Sequence, residues 1–191
     1  MKHLYLVLLS LVSILGISCV YAENIQQDLS DNLIRLHVIA NSNSDFDQNI
    51  KIAVRDEILK KSSENPQLDV LKKAADDTLK DMGAGYGAEI SLLHRYVPKK
   101  QYKSIQLPEG EYDCINVVLG DGNGENWWCI AYPPLCFTEE VFGELSEEGE
   151  LLLQNKLDSE SFRAILYDGD INIRFKLVEG IQKLKSCLFK T

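Results

Sequence analysis

The sequence is poor in the residues that build metal sites and catalytic sites. It has only three histidines, His3, His37 and His94, and its five cysteines form no C-x-x-C pair. A structural zinc site needs four closely grouped nitrogen or sulfur ligands. The G-x-S-x-G segment that presents a serine nucleophile in α/β-hydrolases is also absent. We therefore expect no metal, no cofactor and no catalytic residues, and we interpret the chain as a protein that is not an enzyme.

Positive charge is scarce as well. The 191 residues include 20 Lys and Arg against 29 Asp and Glu, which gives a formal net charge of −9. An acidic surface repels the phosphate backbone that supplies most nucleic-acid affinity, so DNA and RNA are not expected partners. A hydrophobic fraction of 45% with 26% charged residues is typical of a globular domain. The length favours a single domain.

The first 22 residues have the pattern of a secretory signal peptide. Lys2 and His3 precede an uncharged apolar run from Leu4 to Val20, and Val20-Tyr21-Ala22 then resembles a cleavage site. We predict a signal peptide over 1–22, a polar N-terminal segment over 23–32 and a single domain over 33–191. An uncleaved anchor is the alternative, because the run reaches the lower limit of a membrane span, about 17 residues.

Export makes the cysteine count informative. Cleavage removes Cys19 and leaves four cysteines, Cys114, Cys129, Cys136 and Cys187, an even number that suits an oxidising compartment. Two prolines between Cys129 and Cys136 break any regular strand, so the chain could double back there and bring the two sulfur atoms together. We take this pair as a candidate disulfide. Four buried thiols are the alternative.

The hydrophobic pattern predicts an α+β fold. A first strand over 33–40 places Ile34, Leu36 and Val38 on one face and Arg35 and His37 on the other. Ser44 is placed to cap a helix that runs to about Lys61, with Asp47 completing a capping box. The remaining predicted elements are a helix from Pro66 to Gly83, strands over 89–97, 105–107, 112–119 and 127–132, and helices around 151–153 and 177–188.

The glycine-rich segment 120–124 is expected to join the last two strands as a hairpin. The prediction is therefore a single compact domain. It has a small, mostly antiparallel sheet, two amphipathic helices after the first strand and a C-terminal helix.

An enzymatic alternative is kept open. Cys129 or Cys136 could act as a nucleophile with His37 or His94 as its base, which would make the chain a secreted, cell-wall-directed hydrolase. No local motif supports that pairing. A cysteine flanked by Trp128 and Ile130 is more typical of a core or a disulfide.

Three blocks of the sequence resemble one known family. The first is Ile34-Arg35-Leu36-His37-Val38-Ile39-Ala40-Asn41-Ser42, followed by Lys-Ile-Ala-Val-Arg-Asp at 51–56. The second is Leu-Pro-x-Gly-x-Tyr at 107–112, with Asn-Trp-Trp-Cys-x-x-x-Pro-Pro-Leu-Cys-Phe at 126–137. The third is Ile-Arg-Phe-Lys-Leu-Val-Glu at 173–179. In this order they resemble the stage II sporulation protein R family. Glu109 and Cys114 depart from the pattern that we expect of it.

The resemblance implies an intercellular signal of endospore formation. Such a protein is exported from the forespore into the space between the two membranes. There it activates a membrane-embedded aspartic protease of the mother cell, which processes the sigma-E precursor. The chain has no D-T-G or D-S-G motif of an aspartic protease, so the resemblance implies the activator. The expected partner is the extracytoplasmic side of that protease, with no nucleic acid and no small-molecule substrate.

Interface hot spots are rich in tryptophan, tyrosine and arginine. We therefore predict a partner-binding surface from two regions of the chain, the end of the first strand and the tryptophan–proline segment. Its candidate residues are Arg35, His37, Asn41, Trp127, Trp128, Pro133 and Pro134. Adjacent strand residues face opposite sides, so we expect at least one of the two tryptophans to be part of the core.

Overall fold

The computed structural model describes residues 2–64, 67–102, 104–133, 135, 147–167, 169 and 172–188. The elements within these ranges are α1 (Lys2–Asn32), β1 (Ile34–Ile39), α2 (Asp45–Glu64), α3 (Leu68–Asp81), β2 (Ala88–Val97), β3 (Lys100–Gln101), β4 (Gln106–Leu107), β5 (Gly110–Leu119), β6 (Asn126–Tyr132), α4 (Glu147–Lys156), α5 (Ser159–Ile165) and α6 (Ile173–Leu188). Helices and strands are mixed, which confirms the predicted α+β class. Pro66, the predicted start of α3, lies outside the described residues.

The chain forms two compact units. The first comprises 1–29, 97–110 and 143–191, and the second comprises 30–96 and 111–142. The second unit contains a four-stranded sheet in the order β2-β5-β1-β6. Buried apolar residues of α2 and α3 pack against one face of this sheet, where Leu36, Val38, Ile115 and Val117 point. Their alternation along β1 and β5 is the period-2 pattern of a strand with one face in the core.

Strand β1 lies in the middle of the sheet. It pairs in parallel with β5 and antiparallel with β6, so these two strands are not neighbours. The predicted β5–β6 hairpin is therefore wrong, although both strands exist. The four central residues of β1 are all buried, which is typical of a strand covered on both faces. The segment between β5 and β6 passes over the end of β1, and we call residues 120–125 the crossing loop.

Two asparagines that follow β1 hold the crossing loop. The side-chain oxygen of Asn41 accepts from the Asp121 N–H at 2.9 Å, and that of Asn43 accepts from the Glu125 N–H at 2.7 Å. The Gly124 N–H donates to the Ala40 carbonyl at 2.9 Å. Gly120, at φ +55°, adopts a left-handed conformation that favours glycine. The two asparagines of the Asn-x-Asn segment thus accept hydrogen bonds from the backbone of a loop that is distant in the sequence.

Helix α2 begins as predicted but without a capping box. Ser44 Oγ accepts from the Asp47 N–H at 3.2 Å, which is the predicted N-cap bond. The Ser44 N–H donates to Ser42 Oγ at 3.1 Å and not to Asp47. The Asp47 carboxylate instead accepts from Ser42 Oγ at 2.5 Å, from Asn41 Nδ2 at 2.9 Å and from the Tyr86 hydroxyl. These bonds connect the end of β1 to the start of α2.

The first unit is built around the second half of α1 and the C-terminal helices. Ala22, Ile25 and Leu29 of α1 are buried. The Tyr21 hydroxyl donates to Glu160 of α5 at 3.0 Å. Asp158 caps α5 by accepting from the N–H groups of Glu160 and Ser161. The unit also contains the β3–β4 pair, which is antiparallel.

The first half of α1 differs from the second. Its large apolar residues are exposed up to Val20. By length and composition this helix is suited to crossing a membrane, a property that an N-terminal signal sequence shares. The helix continues without a break through Ala22, the predicted cleavage point, to Asn32. Residues on both sides of that point thus belong to one continuous helix.

This continuity predicts a measurable difference between two shortened chains. A chain that begins at Glu23 lacks the buried Ala22 and the Tyr21–Glu160 hydrogen bond, whereas one that begins at Val20 keeps both. A hydrogen bond of this kind contributes about 1 kcal/mol. We expect the shorter chain to melt about 3 °C lower in circular dichroism. Tyr21→Phe in the longer chain is the control for the hydroxyl alone. Equal melting temperatures for the two chains would contradict the packing role.

Candidate functional site

Polar side chains gather on the sheet face opposite α2 and α3. Strand alternation places Arg35 and His37 of β1 there, because Leu36 and Val38 point into the helix-covered core. The strand registers align His37 with Asn116 of β5 on one side and with Trp128 of β6 on the other. Asn116, His37 and Trp128 therefore form one row across three strands.

His37 is the centre of this row. Its Nδ1 lies 2.9 Å from the side-chain oxygen of Asn116, and its ring stacks on Trp128 with the ring centroids 3.8 Å apart and the planes 10° from parallel. Asn116 accepts at the same oxygen from the NH1 group of Arg95 at 3.3 Å. The Arg95 guanidinium also lies 5.6 Å from the Trp128 ring centroid, a cation–π distance. These contacts hold the imidazole in one orientation.

Arg35 lies deeper in the same face, with 0% of its surface exposed. Its Nε donates to the Cys129 carbonyl at 3.3 Å, and its guanidinium lies 5.3 Å from the centroid of the Tyr112 ring. The two terminal nitrogens, NH1 and NH2, are buried and have no hydrogen-bond partner. Arginine stays protonated in proteins, so this is a buried positive charge with most of its donors unused. We call Arg35, His37, Arg95, Asn116 and Trp128 the sheet-face cluster.

The cysteine next to Arg35 is a thiol and not a thiolate. Cys114 pairs with Arg35 in the strand register and is a free, buried cysteine. Burial raises the pKa of the Cys114 thiol to about 11, against the opposing effect of the Arg95 and Arg35 charges. At neutral pH this sulfur is protonated and unreactive as a nucleophile.

Only one of the two cysteines of the predicted disulfide lies within the described residues. Cys129 is disulfide-bonded, whereas Cys19, Cys114 and Cys187 are free thiols. Cys136 lies outside the described residues, so the Cys129–Cys136 pairing stays a prediction. Since Cys129 is in a disulfide, it offers no free thiol to the alternative Cys/His site. His94, the other histidine of that alternative, is exposed and lies 2.9 Å from Asp113.

The candidate interface residues occupy different environments. Trp127 packs against the helix-covered core with the Arg55 guanidinium 4.6 Å from its ring centroid, whereas its neighbour Trp128 lies on the opposite face. Asn41 holds the crossing loop. Arg35 and His37 are 0% and 5% exposed. Pro133 is buried, and Pro134 lies outside the described residues.

Sequence reasoning missed three members of this face. Asn116 and Cys114 alternate with the core residues Ile115 and Val117, a pattern that could have placed them opposite the core. Strand register was needed to bring them next to His37 and Arg35. For Arg95, which comes from the edge strand β2, the sequence offers no comparable signal.

Comparison with known proteins identifies relatives of the chain. The family model for stage II sporulation protein R matches residues 30–141, a range that includes every member of the sheet-face cluster. A curated relative, the stage II sporulation protein R of Bacillus subtilis (strain 168), is 33% identical over 144 residues. That alignment covers 68% of this chain and 64% of the relative. No solved structure matches the chain.

Proposed function

The chain belongs to the stage II sporulation protein R family, and from this premise we propose that it is an exported signal of endospore formation. In this proposal it leaves the forespore and acts in the space between the forespore and mother-cell membranes. There it activates the membrane-embedded aspartic protease that processes the sigma-E precursor. The observation that carries the proposal is the family match over 30–141, which includes the whole second unit up to Val141.

Two features of the molecule support this role. Helix α1 is apolar and exposed over its first half, which fits an export signal or a membrane tether. The thiols of the second unit also suit a binding protein better than a hydrolase, because Cys114 is protonated at neutral pH and Cys129 is in a disulfide. The alternative of a cell-wall-directed hydrolase has no comparable observation in its favour.

Activation by binding requires an allosteric mechanism. The protein would bind the active conformation of the protease more tightly than the inactive one, because only a difference in affinity shifts such an equilibrium. A difference of about 3 kcal/mol shifts the balance about a hundredfold. The sheet-face cluster is our candidate for the contact surface, since arginine and tryptophan dominate interface hot spots.

The proposal is tested by reconstitution in a non-sporulating host. The host carries the candidate protease and its sigma-factor precursor together with this protein. We expect precursor cleavage when the full chain is exported and none when a chain lacking residues 2–19, which keeps Tyr21 and Ala22, is retained in the cytoplasm. Both forms are quantified by immunoblot so that expression is matched. If the exported chain produces no cleavage while protease and precursor are both present, the activator role is wrong, and the hydrolase alternative is tested next.

A further inference from the structure

The least compensated group in the described structure is the Arg35 guanidinium. It is fully buried, yet NH1 and NH2 donate no hydrogen bond. Moving an unpaired charge out of water costs several kcal/mol, so buried arginines are usually paired with a carboxylate or fully hydrogen-bonded. A single bond to the Cys129 carbonyl and a cation–π contact with Tyr112 leave most of this cost uncompensated.

A second positive charge lies on the same sheet face. Arg95 NH1 is 3.3 Å from the Asn116 side-chain oxygen and 3.4 Å from Nδ1 of His37, which belongs to the same strand and the same face as Arg35. The ion pairs among the described residues involve other side chains, and neither Arg35 nor Arg95 takes part in one. The chain has a net charge of −9, yet neither the buried Arg35 nor the half-buried Arg95 is paired with a carboxylate of the described residues.

The members of the cluster differ in depth. Arg35 is fully buried and His37 almost so, whereas Arg95 and Trp128 are half-buried. Arg95 lies on the edge strand β2 and contacts all three members of the row: its NH1 is 3.3 Å from the Asn116 oxygen and 3.4 Å from His37 Nδ1, and its guanidinium is 5.6 Å from the Trp128 ring centroid. A group that arrives from solvent therefore meets Arg95 and Trp128 first. Planar guanidinium groups bind carboxylates through paired N–H donors, which gives this arrangement a definite chemical preference.

We propose that the sheet-face cluster is a carboxylate-binding site, with Arg95 as its outer donor and Arg35 as its inner donor. The occupant is an acidic side chain or C-terminal carboxylate of the protein partner, an assignment that rests on the proposed function. The Trp128 ring, held by stacking on His37, forms the apolar wall beside the carboxylate. Binding supplies the acceptor that Arg35 lacks, so engagement of the partner and neutralisation of the buried charge occur together.

The site is tested first without any partner, with sodium acetate as the probe. We expect acetate to raise the melting temperature of the full chain, relative to sodium chloride at the same ionic strength. The rise should grow with the logarithm of the acetate concentration and reach about 3 °C when acetate is present at ten times its dissociation constant. Arg35→Met and Arg95→Met should each abolish this rise. Arg163→Met, at a side chain that is 61% exposed in α5, is the matched control and should keep it.

The stability of the Arg35→Met variant shows whether Arg35 is needed for binding or for the fold. Replacing an uncompensated buried charge by an apolar side chain of similar size is often neutral or stabilising. We therefore expect Arg35→Met to melt at or above the wild-type temperature in chloride while losing the acetate effect. No acetate effect in the wild type, or an effect that persists in Arg35→Met, would overturn the site. A larger rise with inorganic phosphate than with acetate would overturn its assignment to carboxylates.

The reconstituted cleavage assay then links the site to the partner. Arg35→Met and Arg95→Met should reduce precursor cleavage at least tenfold, and Arg163→Met should not. If the wild type activates and both cluster variants activate equally well, the site is not the partner contact although the proposed function stands. If acetate binds as expected but the wild type does not activate, the proposed function fails and the carboxylate site remains.

Discussion

Replacing Gly124 by alanine is expected to destabilise the fold by about 3 kcal/mol and to lower the melting temperature by about 10 °C. A Cβ atom at this position would overlap the carbonyl oxygen of Ser42, lie 2.6 Å from its carbonyl carbon and lie 2.8 Å from the Ala40 Cβ. These are backbone and core atoms, so a rotamer change cannot relieve the overlap. The crossing loop would have to lift away from the end of β1 and lose its hydrogen bonds to Ala40 and Asn41.

Gly85 provides the matched control for this substitution. A Cβ at Gly85 meets no atom within 4 Å, and its φ is not in the left-handed region. We expect Gly85→Ala to leave the urea midpoint within the error of the wild type, or to raise it slightly by restricting the unfolded chain. Urea unfolding followed by tryptophan fluorescence measures both variants. Equal midpoints for Gly124→Ala and Gly85→Ala would show that the crossing loop does not need its close approach to β1.

Loss of the Asp47 carboxylate is expected to have an effect of similar size. Hydrogen bonds from Ser42, Tyr86 and Asn41 lower the pKa of Asp47 from its ordinary value of 3.8 to about 2, and its side chain is almost fully buried. Asp47→Ala would leave three donors without their acceptor, at a cost of about 3 kcal/mol at pH 7. Chemical unfolding at pH 7 measures this loss. Asp77→Ala, at an exposed helix position paired with Lys73, should cost less than about 0.5 kcal/mol.

The same carboxylate predicts part of the acid sensitivity. Because its folded pKa lies below the unfolded value, Asp47 stabilises the fold fully above about pH 4, and this contribution is lost as the pH falls toward about 2. The shift corresponds to about 2 kcal/mol. The stability difference between wild type and Asp47→Ala should therefore shrink between pH 5 and pH 2, whereas that for Asp77→Ala should stay nearly constant. A difference for Asp47→Ala that is independent of pH would refute this role.

Local features of the fold were predictable from the sequence, and long-range pairings were not. Alternating apolar residues predicted β1 and β5, and Ser44 predicted the start of α2, because strand period and helix capping depend on neighbouring residues. The position of β1 between β5 and β6 depends on which distant strands pair, and a glycine-rich segment between two strands is equally compatible with a hairpin. The short helix α5 was missed for a related reason, since seven residues carry little periodic signal.

The candidate site shows the same contrast between predictable local features and unpredictable long-range contacts. Alternation placed Arg35 and His37 on one face correctly, because side chains of successive strand residues point to opposite sides. The near-complete burial of both residues could not be predicted, since arginine on an alternating strand usually faces solvent. Asp47 was assigned to a capping box on its spacing from Ser44. In the structure it accepts from Ser42 and Asn41, and from Tyr86, 39 residues away, which only the tertiary fold brings near.

The central place of β1 also determines when the sheet can form. His37 bonds to a residue 79 positions later in the chain, and Arg35 to one 94 positions later. Contacts of such long range make folding slow, because the entropy of closing a large loop must be lost before any pairing is gained. Strand β1 is synthesised early, and both of its edges stay unpaired until β5 and β6 have been synthesised. The four-stranded sheet thus cannot be completed until Tyr132, the last residue of β6, has been synthesised.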